Sequence, residues 1–287
     1  MAAPTPRFPI SNPDKIFWPE EGYTKRDLVL FYDHLFEKLR PWVKDRLLSL
    51  ERCPDGIRRE CFFQKQAPPG LPNGTPIKPI RHKNRVTRYV VGGRRDTQLA
   101  LANLGCIAVH VWGSRAASPR KPDWLCFDLD PGSGGFADAA RAGLIVHEAL
   151  EQLHLTSYAK TSGGKGMHIF VPIRVGPDAD EVASFARQIA KRLVDEHPDL
   201  LTVEFSIAKR GGRVYLDSGR NGYAQTVVTP YSLRAQPHAP VSTPLRWDEV
   251  SPSLRPEKFN IGNFQARLEI ADPWKDFWKQ RQALPKL

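Results

Sequence analysis

The chain lacks any run of about 18 consecutive apolar residues, which excludes a membrane-spanning helix. Its first residues, MAAPTPRFPISNPDK, contain no apolar stretch of the kind a secretory signal needs, so a cytoplasmic location is expected. Cysteine is scarce: Cys53, Cys61, Cys106 and Cys126 are widely spaced, with no CxxC pair and no Cys/His cluster. That spacing argues against a structural zinc site and against a disulfide framework, so reduced thiols are expected. Internal repeats and low-complexity tracts are missing too.

Acid is also short. The 287 residues carry 42 Lys and Arg against 31 Asp and Glu, a net +11. Either the protein is merely basic or its partner is anionic, and nucleic acid then ranks ahead of membrane. Between Cys61 and Arg95 there is no acidic residue, while Lys65, Lys78, Arg81, Lys83, Arg85, Arg88, Arg94 and Arg95 are all basic. Residues 205–247 hold Lys209, Arg210, Arg213, Arg220, Arg234 and Arg246 against one acid, Asp217. Surfaces without a target usually mix both signs. These stretches are therefore either solvated loops or contacts to phosphate, which give affinity without reading sequence.

Residues 24–40 predict a helix. Thr24 caps it with Asp27 three residues on, and Leu28, Phe31, Tyr32, Leu35 and Leu39 form its apolar stripe. Lys25 and Arg26 fall in the first turn, the positive end of the helix dipole, which is unfavourable unless an anion sits there. With Lys15 just upstream, the readings are a phosphate pocket formed by Lys15, Lys25 and free helix N–H groups, or two surface lysines. Further strands are expected at 106–112, 124–130, 156–160, 167–173, 202–208 and 213–217. Helices are expected at 137–154, facing inward through Ala140, Leu144, Ile145, Ala149 and Leu153, and at 179–197. The order strand–strand–helix–strand–strand–helix–strand–strand predicts a mixed α/β sandwich with a largely antiparallel sheet.

Asp128 and Asp130 are one residue apart on a strand, so both carboxylates share a face. Like charges so placed need a cation or a raised pKa, and oxygen ligands suit Mg²⁺ or Mn²⁺. A DxD pair alone is also a common surface feature. Asp217 ends a strand inside the second basic stretch. Three carboxylates framed by basic loops fit a two-metal phosphoryl-transfer centre. The turn Thr161–Gly166 offers bare N–H groups, the Ser162 hydroxyl and Lys165, which together can cradle phosphate; the Walker A spacing is absent. His168 is either structural or a donor to a triphosphate. Phe62 and Phe63 are either partly core or exposed for base stacking.

The segments FDLDP (127–131), KTSGGKGMHIF (160–170), YLDSGRNG (215–222) and TPYSLRA (229–235) resemble the polymerase domain of bacterial ligase D, a branch of the archaeo-eukaryotic primase superfamily used in non-homologous end joining. NPDKIFWPEEGYTK (12–25), ECFFQKQ (60–66) and HVWGS (110–114) fit as well, so the resemblance runs from about residue 10 to about residue 270. It implies an α+β primase-polymerase fold with an RRM-like catalytic half. One domain would span 1–287: an end-binding part (1–100), a catalytic part (101–235) and a C-terminal extension (236–287).

The resemblance assigns Asp128, Asp130 and Asp217 as ligands of two Mn²⁺ or Mg²⁺ ions. Ser162, Lys165 and His168 would hold phosphates and ribose, and His110 would lie by the ribose and favour NTP over dNTP. Arg220 and Arg234 would meet the triphosphate, and Lys65 would stand at the entrance. Phe62 and Phe63 would stack on template, and Lys15 and Lys25 would bind a 5′-phosphate at a gap. One departure is Ser218-Gly219 before Arg220, where the family often has an aromatic and a leucine; the metal ligand is kept and the local packing is left open. The implied activity is gap filling and end extension at double-strand breaks, in a nucleoid-associated prokaryotic setting. The ligase and phosphoesterase modules that often share the polypeptide are missing from these residues. Either this is a stand-alone polymerase, sealing being left to a separate DNA ligase with a Ku-type end binder, or it is an excised domain. The alternatives are a primase, an excision-repair polymerase or a non-catalytic end-bridging module.

Overall fold

The computed structural model describes residues 8–287. In the first part, β1 (Ile16–Trp18) and β2 (Tyr23–Thr24) pair and lead into α1 (Lys25–His34) and α2 (Phe36–Val43). Then follow β3 (Arg46–Arg52), β4 (Phe62–Gln64), the hairpin β5 (Ile77–Arg81) and β6 (Val86–Val90), α3 (Arg95–Asn103) and β7 (Cys106–Arg115). The second part runs β8 (Trp124–Asp130), α4 (Gly135–Gln152), β9 (Tyr158–Thr161), β10 (Met167–Pro172), α5 (Ala179–Glu196), β11 (Leu201–Thr202) and β12 (Val214–Asp217). It closes with β13 (Thr226–Val228), β14 (Pro244–Leu245) and α6 (Phe264–Glu269). No helix among the described residues is long and apolar enough to cross a membrane.

Two sheets frame the site. One has the order β11-β12-β8-β10-β9-β14, antiparallel except for β11 with β12; the other is β13-β7-β3-β4, antiparallel throughout. Within the first, β8-α4-β9-β10-α5-β12 is a split βαβ arrangement, the RRM-like half expected. Its helices bury Leu150, Val182, Ala186 and Ile189 against Phe127, Leu129 and Ile169. A second core, around Tyr32, Leu50, Val109 and Trp274, joins the first helices to the other sheet.

The Thr24 cap is present as a full capping box with Asp27. The helix expected over 24–40 instead breaks at Leu35. The turn there lets Leu28 and Tyr32 on α1, and Leu39 and Trp42 on α2, reach one core. On α4, Ala140 and Ala149 are buried as expected, but Leu144 is exposed. The helix faces the sheet through Ala139, Ala142, Gly143 and Val146, because only small residues allow so close an approach: a Cβ on Gly143 would lie 2.6 Å from Met167 Sδ.

Two further expectations are corrected. The strand expected over 202–208 stops at Thr202 and gives way to a short 3₁₀ turn at Ile207–Lys209. The pairing with β12 ends at Thr202 although β12 runs on to Asp217, and the Thr202 hydroxyl accepts the Glu204 N–H. Val203, Phe205 and Ile207 are left exposed. Cys53 and Cys61 form a disulfide rather than free thiols, with Cα atoms 4.3 Å apart. The register explains it: Leu50, Glu51 and Arg52 on β3 face Gln64, Phe63 and Phe62 on β4, so the next facing pair is Cys53 and Cys61. Cys106 and Cys126 are free and buried.

Candidate active site

The carboxylates come together through strand register. Asp128 on β8 lies between Asp217 on β12 and His168 on β10, and His168 in turn faces Lys160 on β9. The row Asp217–Asp128–His168–Lys160 therefore crosses four strands. Asp130, two residues beyond Asp128, shares its face. His168 Nε2 is 3.2 Å from Asp128 Oδ1, and Arg220 Nε is 3.1 Å from both Asp128 Oδ2 and Asp217 Oδ2. The Gly219 N–H donates to Asp217 Oδ1 at 2.7 Å.

Burial pushes the Asp128 pKa up, but His168 and Arg220 outweigh it and hold the group well below the usual carboxylate range. Asp130 is raised by burial and by Asp128; Asp217 is raised by burial even though Arg220 opposes it. Burial, with Lys160 adding to it, brings His168 down to about 4, so its ring is neutral at pH 7. Lys160, fully enclosed and donating to Ser242 Oγ at 2.5 Å, is brought down by burial to about 7.

The donor set is hard oxygen, and burial raises the pKa of two of its three carboxylates, Asp130 and Asp217. That chemistry fits Mg²⁺ or Mn²⁺. Among the described residues no three acidic, His or Cys side chains close around one point. The positive charge between Asp128 and Asp217 is the Arg220 guanidinium, which marks where a cation is favoured.

A cavity of about 600 Å³ opens in front of this row, a size that suits a nucleotide. Asp128, Asp130, His168 and Arg220 form one wall, and Ser162, Lys165 and Arg234 another; Phe63 and His110 come from the second sheet, and Lys65 directly follows β4. The Thr161–Gly166 turn has fewer bare N–H groups than expected. Ser162 Oγ accepts from the N–H groups of Gly164 and Gly166, both at 3.2 Å. Gly166 is required where it stands, because a Cβ there would lie 2.2 Å from the Leu129 carbonyl oxygen. Arg234 Nη1 donates to the Ser162 carbonyl at 2.8 Å, while its Nε is enclosed with no hydrogen-bond partner.

The sequence model of the LigD primase-polymerase domain matches residues 24–274. The chain belongs to that family. The multifunctional non-homologous end joining protein LigD of Mycolicibacterium smegmatis is 32% identical over 260 residues, covering 88% of this chain and 34% of that protein. The bifunctional LigD of Bacillus subtilis is 30% identical over 285 residues, covering 98% and 46%. The polymerase domain of Mycobacterium tuberculosis ligase D, solved in complex with DNA, matches with a TM-score of 0.88 at 26% identity over 96% of this chain and 99% of that one. The chain thus spans between a third and a half of these two LigD proteins.

Within this primase-polymerase domain, four expected site residues lie outside the cavity lining. Asp217 is held by Arg220, which does line the cavity. Phe62 and Phe63 are both exposed, 40% and 61%, which removes the core reading. They point to opposite faces: Phe63 meets the His110 ring edge-on at 5.2 Å, and Phe62 lies under Arg52. Lys15 and Lys25 sit near the start of α1, but the N–H groups expected to be free are taken. Those of Lys25 and Arg26 donate to the carbonyls of Lys15 and Pro13. Lys15 pairs with Asp55; the Lys25 side chain is buried, donates to Ser11 Oγ at 3.2 Å, and has its pKa lowered by burial and then by Lys15.

Sequence reasoning missed Glu51, Lys160, Ser49 and Gln236. Lys160 was visible only as the first residue of the KTSGGKG motif. Ser49 and Gln236 reach the cavity through pairing and loop packing that no local pattern signals.

Proposed function

We propose that this domain is a DNA-dependent nucleotidyltransferase that fills gaps and extends ends at double-strand breaks, prefers ribonucleotides and recognises a downstream 5′-phosphate. The observation that carries the reading is a cavity in which a carboxylate pair faces Lys65, Lys165 and Arg234, cations that have no acidic partner among the described residues. That pairing of charges suits a triphosphate held against a site that takes divalent ions. Asp128, Asp130 and Asp217 would hold two Mn²⁺ or Mg²⁺ ions, whose chemistry is to lower the charge barrier at the reacting phosphate. Arg220 would move from the carboxylates toward phosphate as that charge arrives. Ser162 and His168 would orient the nucleotide, and Phe63 at the mouth would stack on a template base, with Phe62 on the strand's other face. Lys15 and Lys25 would take the 5′-phosphate, drawing Lys15 from Asp55. The LigD names of the relatives and the DNA in the solved neighbour support the pathway. Sealing would fall to a DNA ligase activity, with a Ku-type protein holding the ends.

Primer extension on gapped DNA, with and without the 5′-phosphate and with NTP against dNTP, tests the reading. Extension favoured by the phosphate and by NTP is expected. Absence of any templated extension with Mn²⁺ or Mg²⁺ would refute it, and dinucleotide synthesis without a primer would point to a primase.

A further inference from the structure

His110 is among the residues that line the cavity. Its Nε2 is turned inward and enclosed, with no hydrogen-bond partner. Facing it at 3.8 Å is Oε2 of Glu51, which is likewise enclosed and unpartnered. Two unpartnered polar atoms this close and this enclosed are seldom accidental, because each is costly alone. The arrangement follows from the sheet. Glu51 lies on β3 directly opposite Phe63, and Ser49, two residues earlier, lies opposite His110. The Phe63 ring packs edge-on against His110 and helps close that side.

The carboxylate decides the imidazole's tautomer. With an anion at 3.8 Å, an N–H pointing toward it is attracted and a lone pair is repelled, so the proton belongs on Nε2. The other nitrogen, Nδ1, is then a bare acceptor on a ring that lines the cavity. Burial lowers the His110 pKa, and Arg234 and Lys160 add to that against Glu51, so the ring stays neutral and the acceptor is available at pH 7. A bare acceptor takes a hydrogen bond from a hydroxyl and gains nothing from a C–H. A site built to bond a substrate hydroxyl discriminates against the analogue that lacks it.

We propose that Glu51 is a positioning residue for sugar selection: it fixes the proton of His110 on Nε2, so that Nδ1 accepts a hydrogen bond from a hydroxyl that ribose has and deoxyribose lacks. This rests on the polymerase reading above and names the residue that would set its preference for NTP.

The test compares wild type, Glu51→Gln and Glu51→Asp in the full chain. ¹⁵N chemical shifts of the His110 ring report the tautomer without any nucleotide. The ratio of kcat/KM for NTP over dNTP reports the selection. Wild type and Glu51→Asp are expected to hold the Nε2–H form. Glu51→Gln is expected to lose it and to drop the ratio ~10-fold, chiefly through the KM for NTP, as the loss of one hydrogen bond predicts. The proposal is overturned if wild type holds the Nδ1–H form, or if the tautomer changes while the ratio does not. Should Glu51→Gln fail to fold, the wild-type tautomer and the Glu51→Asp ratio still decide. A chain that extends no primer at all sinks the polymerase reading, whereas the tautomer measurement stands apart from it.

Discussion

Asp128→Asn keeps the size and shape of the side chain and removes one charge. In the structure that carboxylate meets Arg220 Nε at 3.1 Å and His168 Nε2 at 3.2 Å. After the substitution Arg220 still holds Asp217 at 3.1 Å, so the guanidinium is not orphaned. Breaking a buried pair outright costs ~3–5 kcal/mol; with a second partner kept, the expected loss of stability is under about 2 kcal/mol. Activity is expected to fall much further, by ~10²–10³, the usual cost of one preorganised charge at a reacting centre. The pH dependence has a definite sign. The native pKa of Asp128 lies below its ordinary 3.8, so the group stabilises the fold above that value and the gain is lost as pH falls through the native pKa. The wild-type advantage over the variant should therefore shrink below about pH 4. Single-turnover extension measures the rate, and thermal unfolding across pH measures the stability. Extension at the wild-type rate would refute the role given to this carboxylate. So would a loss of activity that merely tracked a loss of folded protein.

Lys15→Ala with Lys25→Ala should abolish the preference for a 5′-phosphorylated gap, at least ~10-fold by charge-assisted bonding, while leaving nucleotide KM unchanged; an unchanged preference in a binding assay would remove the pocket. Lys160 titrates near 7 in the fold and 10.5 in the unfolded chain, so the unfolded state holds more protons across that window and stability should rise with pH through it. Lys160→Met should lack that rise, worth a few kcal/mol at most, and parallel denaturation curves for the two proteins would contradict it. Replacing Cys53 and Cys61 together by Ala should lower the unfolding free energy by about 2–3 kcal/mol, the loop-entropy expectation for so short a loop. Insensitivity of the wild-type midpoint to a reductant would argue against the bond.

Local chemistry was legible wherever a short segment carries its own signal. The Thr24–Asp27 capping box needs four residues, the buried run of 124–130 needs seven, and the shared face of Asp128 and Asp130 follows from the two-residue repeat of a strand. The strand–helix order from residue 106 onward, and with it the antiparallel sheet, followed from the same kind of pattern. Patterns failed where a partner decides. Val203, Phe205 and Ile207 alternate like a strand but turn away from β12 after Thr202, and Leu144 yields the inner face of its helix to Gly143 because Met167 lies so close.

The sequence by itself determined which groups this protein has to work with: three aspartates, a glycine-rich turn with a lysine, two strongly basic stretches, and a family in which they occur together. Only the tertiary structure decided who meets whom. Strand register set Cys53 against Cys61, placed His168 and Asp217 on either side of Asp128, and turned Glu51 toward His110. Loop packing put Arg220 between two carboxylates and closed the N–H groups expected to receive phosphate. The physical reason is range. Propensity and periodicity act over a few residues, whereas register and enclosure are settled by burial summed over segments far apart in the chain.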